Sequence, residues 1–295
     1  MILHRSLLFV PGARADLLEK AARFPADVLC IDLEESVLPE EKGAARALAA
    51  EAAAKLAAAG RTVHVRVNSI RSGETRDDLA AVVRPGLAGV LLAKTESPQD
   101  VRDIDVLLRE QELAHGIKAG AIELIVAIES AHGLLRCQEI SGASTRLAAL
   151  TLGGEDFAFD LGVQRTREGR ELEYARAHVA TCARAANLIA LDTPWADIPD
   201  IEGLVADAER AKALGFSGKY VIHPSHIEPV QRVFSPSEEE VAYARRLLQA
   251  WEEAQAQGLG AVQLDGRMVD RPIAERARRV IEQAERSTDS QRISG

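Results

Sequence analysis

The stretch Gly89-Val-Leu-Leu-Ala-Lys-Thr-Glu-Ser-Pro98, continuing through the helical pattern of Pro98–Ala114 to the apolar run Ile122–Glu129, is one strand–helix–strand unit. Gly89–Lys94 and Ile122–Glu129 are nearly unbroken runs of Val, Ile and Leu, the pattern of parallel strands covered on both faces. Between them, Ser97-Pro98 reads as an N-cap followed by proline at the first helical position. The same alternation runs outward in both directions. Further strands are expected at Ser6–Pro11, Val28–Leu33, Thr62–Asn68, Leu147–Leu152, Ile189–Thr193 and Lys219–His223. Helices are expected at Ala15–Arg23, Glu40–Ala59, Arg76–Val83, Gly133–Ile140, Leu172–Ala186, Ile201–Leu214 and Glu238–Gln257, with Pro199-Asp200 and Ser235-Pro236 as further helix starts. Eight strands, each followed by a helix, over about 250 residues is the arithmetic of a TIM barrel. A doubly wound open sheet shares the alternation, but no Gly-rich first turn is present. The sequence therefore predicts an α/β fold: a TIM (β/α)8 barrel over residues 1–258. A C-terminal extension, 259–295, is expected to be a polar loop (Gln263–Pro272), a basic amphipathic helix (Ile273–Arg286) and a frayed end (Ser287–Gly295).

Composition limits the function. The 295 residues carry 45 acids against 36 bases, a net charge of −9, and 4% aromatics. That balance argues against nucleic acid and anionic membrane as partners and against stacked aromatic platforms. No apolar run is long enough for a membrane span. Cys30, Cys137 and Cys182 are odd in number and far apart, so neither a disulfide scaffold nor a zinc ribbon fits. A cytoplasmic protein is expected.

A barrel's active site lies at the C-terminal ends of its strands, so the polar residues ending each strand are the candidates. They are Asp32-Leu33-Glu34-Glu35, Arg66-Val67-Asn68, Glu129-Ser130 and Gly153-Gly154-Glu155-Asp156. Carboxylates gathered at one mouth need a cation, and oxygen donors without His or Cys select a hard ion such as Mg2+. Glu129 and Asp156 are the expected metal ligands. The alternative is that Glu129 caps a helix and Asp156 closes a turn. Gly154 would let backbone approach a ligand and offer an amide, or simply turn the chain. Arg66 reads as a clamp on a carboxylate or enolate, or as an ion-pair partner of the acids of residues 32–35. Asp32 and Glu35 would orient Arg66 or metal-bound water. His223 and His226 read as hydrogen-bonding residues rather than a metal pair, and His132 as a helix cap or a residue facing the site. Nucleophile-elbow, P-loop, zincin and dinucleotide-binding patterns do not occur.

Seven segments, in order and spacing, carry a resemblance: Arg5-Ser-Leu-Leu-Phe-Val-Pro-Gly12, Asp32-Leu-Glu-Glu-Ser-Val37, Arg66-Val-Asn68, Ile128-Glu-Ser130, Gly153-Gly-Glu-Asp156, Gly218-Lys-Tyr-Val-Ile-His-Pro224 and Asp265-Gly-Arg-Met-Val-Asp270. The chain resembles the citrate lyase β-subunit-like group of the HpcH/HpaI aldolase superfamily along nearly its whole length. It departs at Glu35, where many relatives carry Asp. The resemblance implies a Mg2+-dependent carbon–carbon lyase acting on 3-hydroxyacyl-CoA thioesters such as malyl-, citramalyl- or citryl-CoA. It implies Glu129 and Asp156 as metal ligands and Arg66 as the substrate-binding arginine. It also implies a homotrimer or homohexamer in which the C-terminal segment brings Asp270 into a neighbouring active site. In that scheme Mg2+ chelates the oxo-acid portion, Arg66 stabilises a thioester enolate and Asp270 moves its proton. CoA phosphates would meet Arg5, Arg14 or Lys20. The other readings are the β subunit of a citrate lyase complex acting on a thioester of an acyl carrier protein, and a non-catalytic regulator that binds oxo acid and Mg2+.

Overall fold

The computed structural model describes residues 4–293, with side chains to residue 285. It divides into two compact units, 2–231 and 232–295. The sequence reading draws its boundary at 258, whereas residue contacts group the last long helix of that reading with the C-terminal segment.

In the first unit the strands are β1 (Ser6–Pro11), β2 (Val28–Asp32), β3 (Val63–Val67), β4 (Gly89–Leu92), β5 (Glu123–Ile128), β6 (Leu147–Leu152), β7 (Ile189–Asp192) and β8 (Gly218–Val221). The helices of the chain begin with α1 (Ala15–Ala21), α2 (Lys42–Ala58), α3 (Thr75–Val82), α4 (Pro98–Ala114), α5 (Ala131–Leu135), α6 (Cys137–Ser141), α7 (Gly154–Asp160), α8 (Glu173–Ala185), α9 (Ile201–Leu214) and α10 (Ile227–Phe234). The eight strands are all parallel and close into a barrel in sequence order. β8 completes the ring against β1 through Ser6↔Lys219, Leu7↔Tyr220 and Leu8↔Val221. The expected TIM barrel is borne out.

Local chemistry explains most of the boundaries. Ser97 caps α4 through a full capping box with Asp100, with Pro98 at the first helical position. Asp200 caps α9 from its side chain. The helix expected at 133–140 is instead two short helices, α5 and α6, with Arg136 between them. Ser130 caps α5, accepting from the Gly133 amide. Two helices escape the sequence reading. α7 starts inside the Gly-Gly turn, and α10 follows Pro224 directly through a 3-10 turn at Pro224–His226.

Alternation along each strand sets what fills the barrel. Leu7, Cys30, Leu91, Ile125, Ala127, Ala149, Leu191 and Tyr220 form a buried cluster with Phe9 and Ile189 packed against it. Residues of the same parity at the strand ends, such as Arg66 and Glu129, therefore share the barrel's inner face. Outside this lumen lies a buried charge network. Arg176 on α8 donates to both oxygens of Asp192 at 3.0 Å and to Asp207 on α9 at 2.8 Å. Lys219 reaches Asp192 and Asp207, each at 2.6 Å.

The second unit holds α11 (Glu238–Ala256), a hairpin of β9 (Val262–Leu264) and β10 (Arg267–Val269), and α12 (Arg271–Ile293). Ser237 caps α11 with a capping box to Glu240, two residues after the expected start at Ser235-Pro236. The polar loop expected at 263–272 is an antiparallel hairpin. Asp265 and Gly266 both have positive φ, 48° and 78°, so they form the two-residue turn whose twist suits paired strands. α12 starts two residues earlier than expected and is helical to Ile293, beyond the expected end at 286; residues 294–295 lie outside the described part. A core of Ala244, Leu247, Trp251, Val269, Ala274 and Ala277 holds this unit together. Among the described residues, no helix is long and apolar enough to cross a membrane.

Candidate active site at the barrel mouth

At the C-terminal ends of the strands a cavity of about 190 Å³ is lined by Phe9, Glu35, Arg66, Glu129, Gly154, Asp156, Thr193 and Tyr220, with apolar residues of the lumen as its floor. The acids and the arginine predicted at the mouth therefore meet in one place. Asp32 stands buried behind them.

Arg66 is fixed by its neighbours in the sheet. Its register partner on β2 is Asp32, and the two side chains form a two-pronged pair, Nε to Oδ1 at 2.6 Å and Nη2 to Oδ2 at 2.8 Å. Nη1 lies 3.2 Å from Glu34 Oε2. A guanidinium has five N–H donors, and the hydrogen bonds to Asp32 use two of them. The guanidinium also lies over the Phe9 ring, 4.7 Å from its centroid, and Phe9 stacks on Tyr220 at 4.6 Å. Burial alone would raise the Asp32 pKa, but the Arg66 charge and hydrogen bonds overcome it and hold the carboxyl below its ordinary value. Asp32 also accepts from the Glu34 and Ser36 amides, at 2.9 and 3.2 Å. Asp32 thus orients Arg66.

Lys94, just after β4, is a site residue that strand-end reading passed over. Its ammonium donates to Glu34 Oε1 at 2.7 Å and Glu35 Oε1 at 2.9 Å, and stands 3.8 Å from Asp156 Oδ1. Its backbone N–H donates to Glu129 Oε1, and the residue itself has a positive φ of 49°, uncommon where there is a side chain. Lysine after a buried strand usually reads as solvated surface, and the strained φ has no sequence signature. Glu34 is the second omission. It belonged to the acid cluster, yet it touches both Arg66 and Lys94 and so contributes as much as Glu35.

The five carboxylates are not equally neutralised. Asp32 has Arg66; Glu34 has Arg66 and Lys94; Glu35 has Lys94, which outweighs burial and lowers its pKa. Among the described residues Glu129 accepts a hydrogen bond from the Lys94 amide alone and feels Arg66 only through its charge. Its pKa is pushed up to about 7, first by burial and then by the Asp156 charge. Asp156 is pushed up to about 6 by burial and by Glu35. Five acids against two cations leave a formal excess of three negative charges, and the deficit falls on Glu129 and Asp156. An all-oxygen pair with the smallest share of positive charge, at a partly solvated mouth, fits Mg2+, which binds through one or two carboxylates and retains water.

Glycines 153 and 154 serve the site differently from the expectation. Their amides are already used: Gly153 donates to the Ile128 carbonyl at 3.0 Å and Gly154 to Thr193 Oγ1 at 2.9 Å. A Cβ on Gly153 would stand 2.2 Å from Glu129 Oε2, so Gly153 makes room for the Glu129 carboxylate. Gly154 lines the cavity with its amide turned to Thr193. Glu155 points away, to Arg165 at 2.8 Å. Tyr220 adds a buried hydroxyl with no partner among the described residues. A Tyr inside an apolar strand run looks like core.

Other expectations resolve plainly. Arg5 precedes β1 and so lies at the opposite end of the barrel from the mouth, bound to Asp27 at 2.7 Å; it is not placed to meet a CoA phosphate there. Arg14 pairs with Asp16 at 2.9 Å. His226 is buried with Nε2 3.0 Å from the Ile198 carbonyl oxygen, and His223 Nδ1 meets the Ser225 hydroxyl at 2.7 Å; both are hydrogen-bonding residues. All three cysteines are buried and free. Asp270 belongs to the second unit, where it caps α12, accepting from the Ile273 amide at 3.2 Å.

A family model described as HpcH/HpaI aldolase/citrate lyase matches residues 5–224, the whole barrel. The chain belongs to the HpcH/HpaI aldolase/citrate lyase family. It is 41% identical to citrate lyase subunit beta of Escherichia coli K12, over 96% of this chain and 94% of that one. It is 35% identical to the L-malyl-CoA/beta-methylmalyl-CoA lyase of Rhodobacter capsulatus, over 96% and 95%. Among solved structures it is similar to CitE of Mycobacterium tuberculosis in complex with magnesium, acetoacetate and coenzyme A, with a TM-score of 0.76, 30% identity, and 96% and 98% of the two chains covered.

Proposed function

We propose that this chain is a Mg2+-dependent carbon–carbon lyase that cleaves a 3-hydroxyacyl thioester into an oxo acid and an acyl thioester, or joins them in reverse. The observation that carries this reading is the uneven neutralisation of the mouth. Glu129 has no cation paired with it among the described residues, and Asp156 has only the long 3.8 Å contact with a Lys94 already shared by Glu34 and Glu35, beside an arginine with N–H groups to spare. The M. tuberculosis structure with magnesium, acetoacetate and coenzyme A, and the relatives named as lyases, support the same chemistry.

Bound by Glu129 and Asp156, Mg2+ would supply Lewis acidity that lowers the pKa of the substrate's hydroxyl and favours cleavage of the adjacent C–C bond. Arg66, held rigid by Asp32, Glu34 and the Phe9 ring, presents its remaining N–H groups to the thioester enolate oxygen that develops on cleavage. A donor that is already oriented needs no reorganisation in the transition state. Lys94 pairs with Glu34 and Glu35, holding Glu35 ionised, and turns its amide to Glu129, which aims that carboxylate. The Asp270 carboxyl of a neighbouring subunit protonates the enolate carbon, or takes that proton in the condensing direction. This last role needs a homo-oligomer, a trimer or hexamer, in which the 259–295 segment reaches an adjacent barrel. We place the protein in the cytoplasm, in keeping with its three buried free thiols.

The 41% identity to citrate lyase subunit beta favours a second reading, in which the thioester is carried by an acyl carrier protein. Incubation with Mg2+ and malyl-, citramalyl- and citryl-CoA, each with and without EDTA, distinguishes the two. EDTA-sensitive release of oxo acid from one CoA thioester establishes the first reading. Release only from the citryl thioester of a carrier protein establishes the second. Tight binding of oxo acid and Mg2+ without turnover on either carrier would overturn both, in favour of a binding protein.

A further inference from the structure

The inner faces of β3 and β5 carry polar residues at both ends. At the mouth they present Arg66 and Glu129; at the N-terminal end of the same faces, two and six residues earlier, they present His64 and Glu123. The apolar layer of Leu7, Cys30, Leu91, Ile125 and Ala127 fills the lumen between. His4, just before β1, joins the lower group. Its ring centroid is 5.6 Å from that of His64, and its Nε2 is 3.4 Å from Glu123 Oε2. One donor atom from each of His4, His64 and Glu123 lies within 4.8 Å of the other two.

His64 is the informative member. Its side chain is fully buried, and neither ring nitrogen has a hydrogen-bond partner among the described residues. An orphaned buried imidazole is costly and calls for an explanation. The chain also makes room for it: a Cβ on Gly89 of β4 would stand 2.8 Å from His64 Nε2. Burial, with His4 beside it, holds the ring neutral by lowering its pKa to about 3, and the neutral ring is the form that ligates metals.

We infer that His4, His64 and Glu123 form a second metal site, at the N-terminal end of the barrel, for a divalent transition ion of the zinc class. Metal–donor bonds of about 2.0–2.1 Å place tetrahedral donors about 3.4 Å apart, which is the spacing already present between His4 and Glu123. Two imidazoles and one carboxylate suit zinc, whereas Mg2+ favours oxygen. The partly exposed Glu123 side chain gives the ion a route in and leaves room for water as a fourth ligand. The site ties the start of β1 to β3 and β5, and it shares no ligand with the mouth.

The test uses the full chain with Glu129→Ala and Asp156→Ala, which removes the two acids of the mouth. Co2+ is titrated in and followed by its visible d–d absorption and by equilibrium dialysis. The expected result is one equivalent of four-coordinate Co2+, displaced by Zn2+ and not by Mg2+. Affinity should fall at least about tenfold when Glu123→Ala or His64→Asn is added. Glu123 is partly exposed, so its variant decides the matter if the buried His64 variant folds poorly. Absence of a four-coordinate cobalt spectrum from the folded protein, or binding unchanged by Glu123→Ala, overturns the inference.

Discussion

Glu129 and Asp156 differ from the three acids around them only in what stands opposite each carboxylate, and that difference sets their behaviour. Their folded pKa values, about 7 and about 6, lie above those of free carboxyls near 4. In the metal-free protein a raised acid pKa makes a contribution to stability that is present at low pH and lost as pH rises through the folded value. Mg2+ needs both groups ionised and restores what deprotonation costs. The Mg2+-induced rise in Tm should therefore be small at pH 5 and grow through pH 6–7 to a plateau near 8, as differential scanning fluorimetry would show. A rise independent of pH would contradict the assignment. Arg66 makes a different prediction. Lysine keeps the charge but loses the fork that grips Asp32. Arg66→Lys should lower kcat by about 10²-fold with Mg2+ affinity, measured calorimetrically, little changed.

At the scale of elements, the site is assembled by strand ends and by turns, and the two were not equally legible. Arg66, Glu129 and Asp32 were readable because each is the one charge ending an apolar run, and alternation then fixes the face it points to. Lys94 and Glu34 were not, because their positions depend on a chain that has left the strand, in one case through a positive φ. The Gly-Gly turn was read as room for a ligand or a plain turn; both glycines line the cavity, and Gly153 also makes room for the Glu129 side chain. Gly153→Ala accordingly places a methyl group on that carboxylate. It should weaken Mg2+ binding at least tenfold while costing about 1–3 kcal/mol of stability, the usual range for overpacking; isothermal calorimetry and urea melts would measure the two effects. The hairpin at 262–269 carried a clear Asp-Gly signal that polarity masked, because strands of three residues are too short for alternation to register.

For the molecule as a whole, the closed barrel was foreseeable from eight repeats of one pattern, whereas the polar networks that join its layers were not. Lys219 stands in an apolar strand and yet is fully buried against Asp192 and Asp207. Burial would raise the Asp207 pKa, but Lys219 and Arg176 more than offset it and hold it far below the ordinary value. The stability this pair contributes is present above pH 4 and is lost on acidification. Lys219→Met leaves the buried carboxylates of Asp192 and Asp207 with Arg176 and, for Asp207 alone, the half-exposed Arg210. It should destabilise the barrel by about 3–5 kcal/mol in denaturant titration at pH 7, with a smaller loss near pH 3, where the acids can take up protons.

The most direct test of the central claim, that Glu129 and Asp156 hold the catalytic ion, compares the wild type with Glu129→Gln and Asp156→Asn. Mg2+-dependent oxo-acid release would be followed for all three, beside their metal-free melting temperatures. The account predicts that both variants lose turnover by at least 10³-fold, and that Glu129→Gln does not melt lower than the metal-free wild type at pH 8, since it removes a buried carboxylate charge that no cation pairs with directly. Turnover retained in both variants, still sensitive to EDTA, would contradict it.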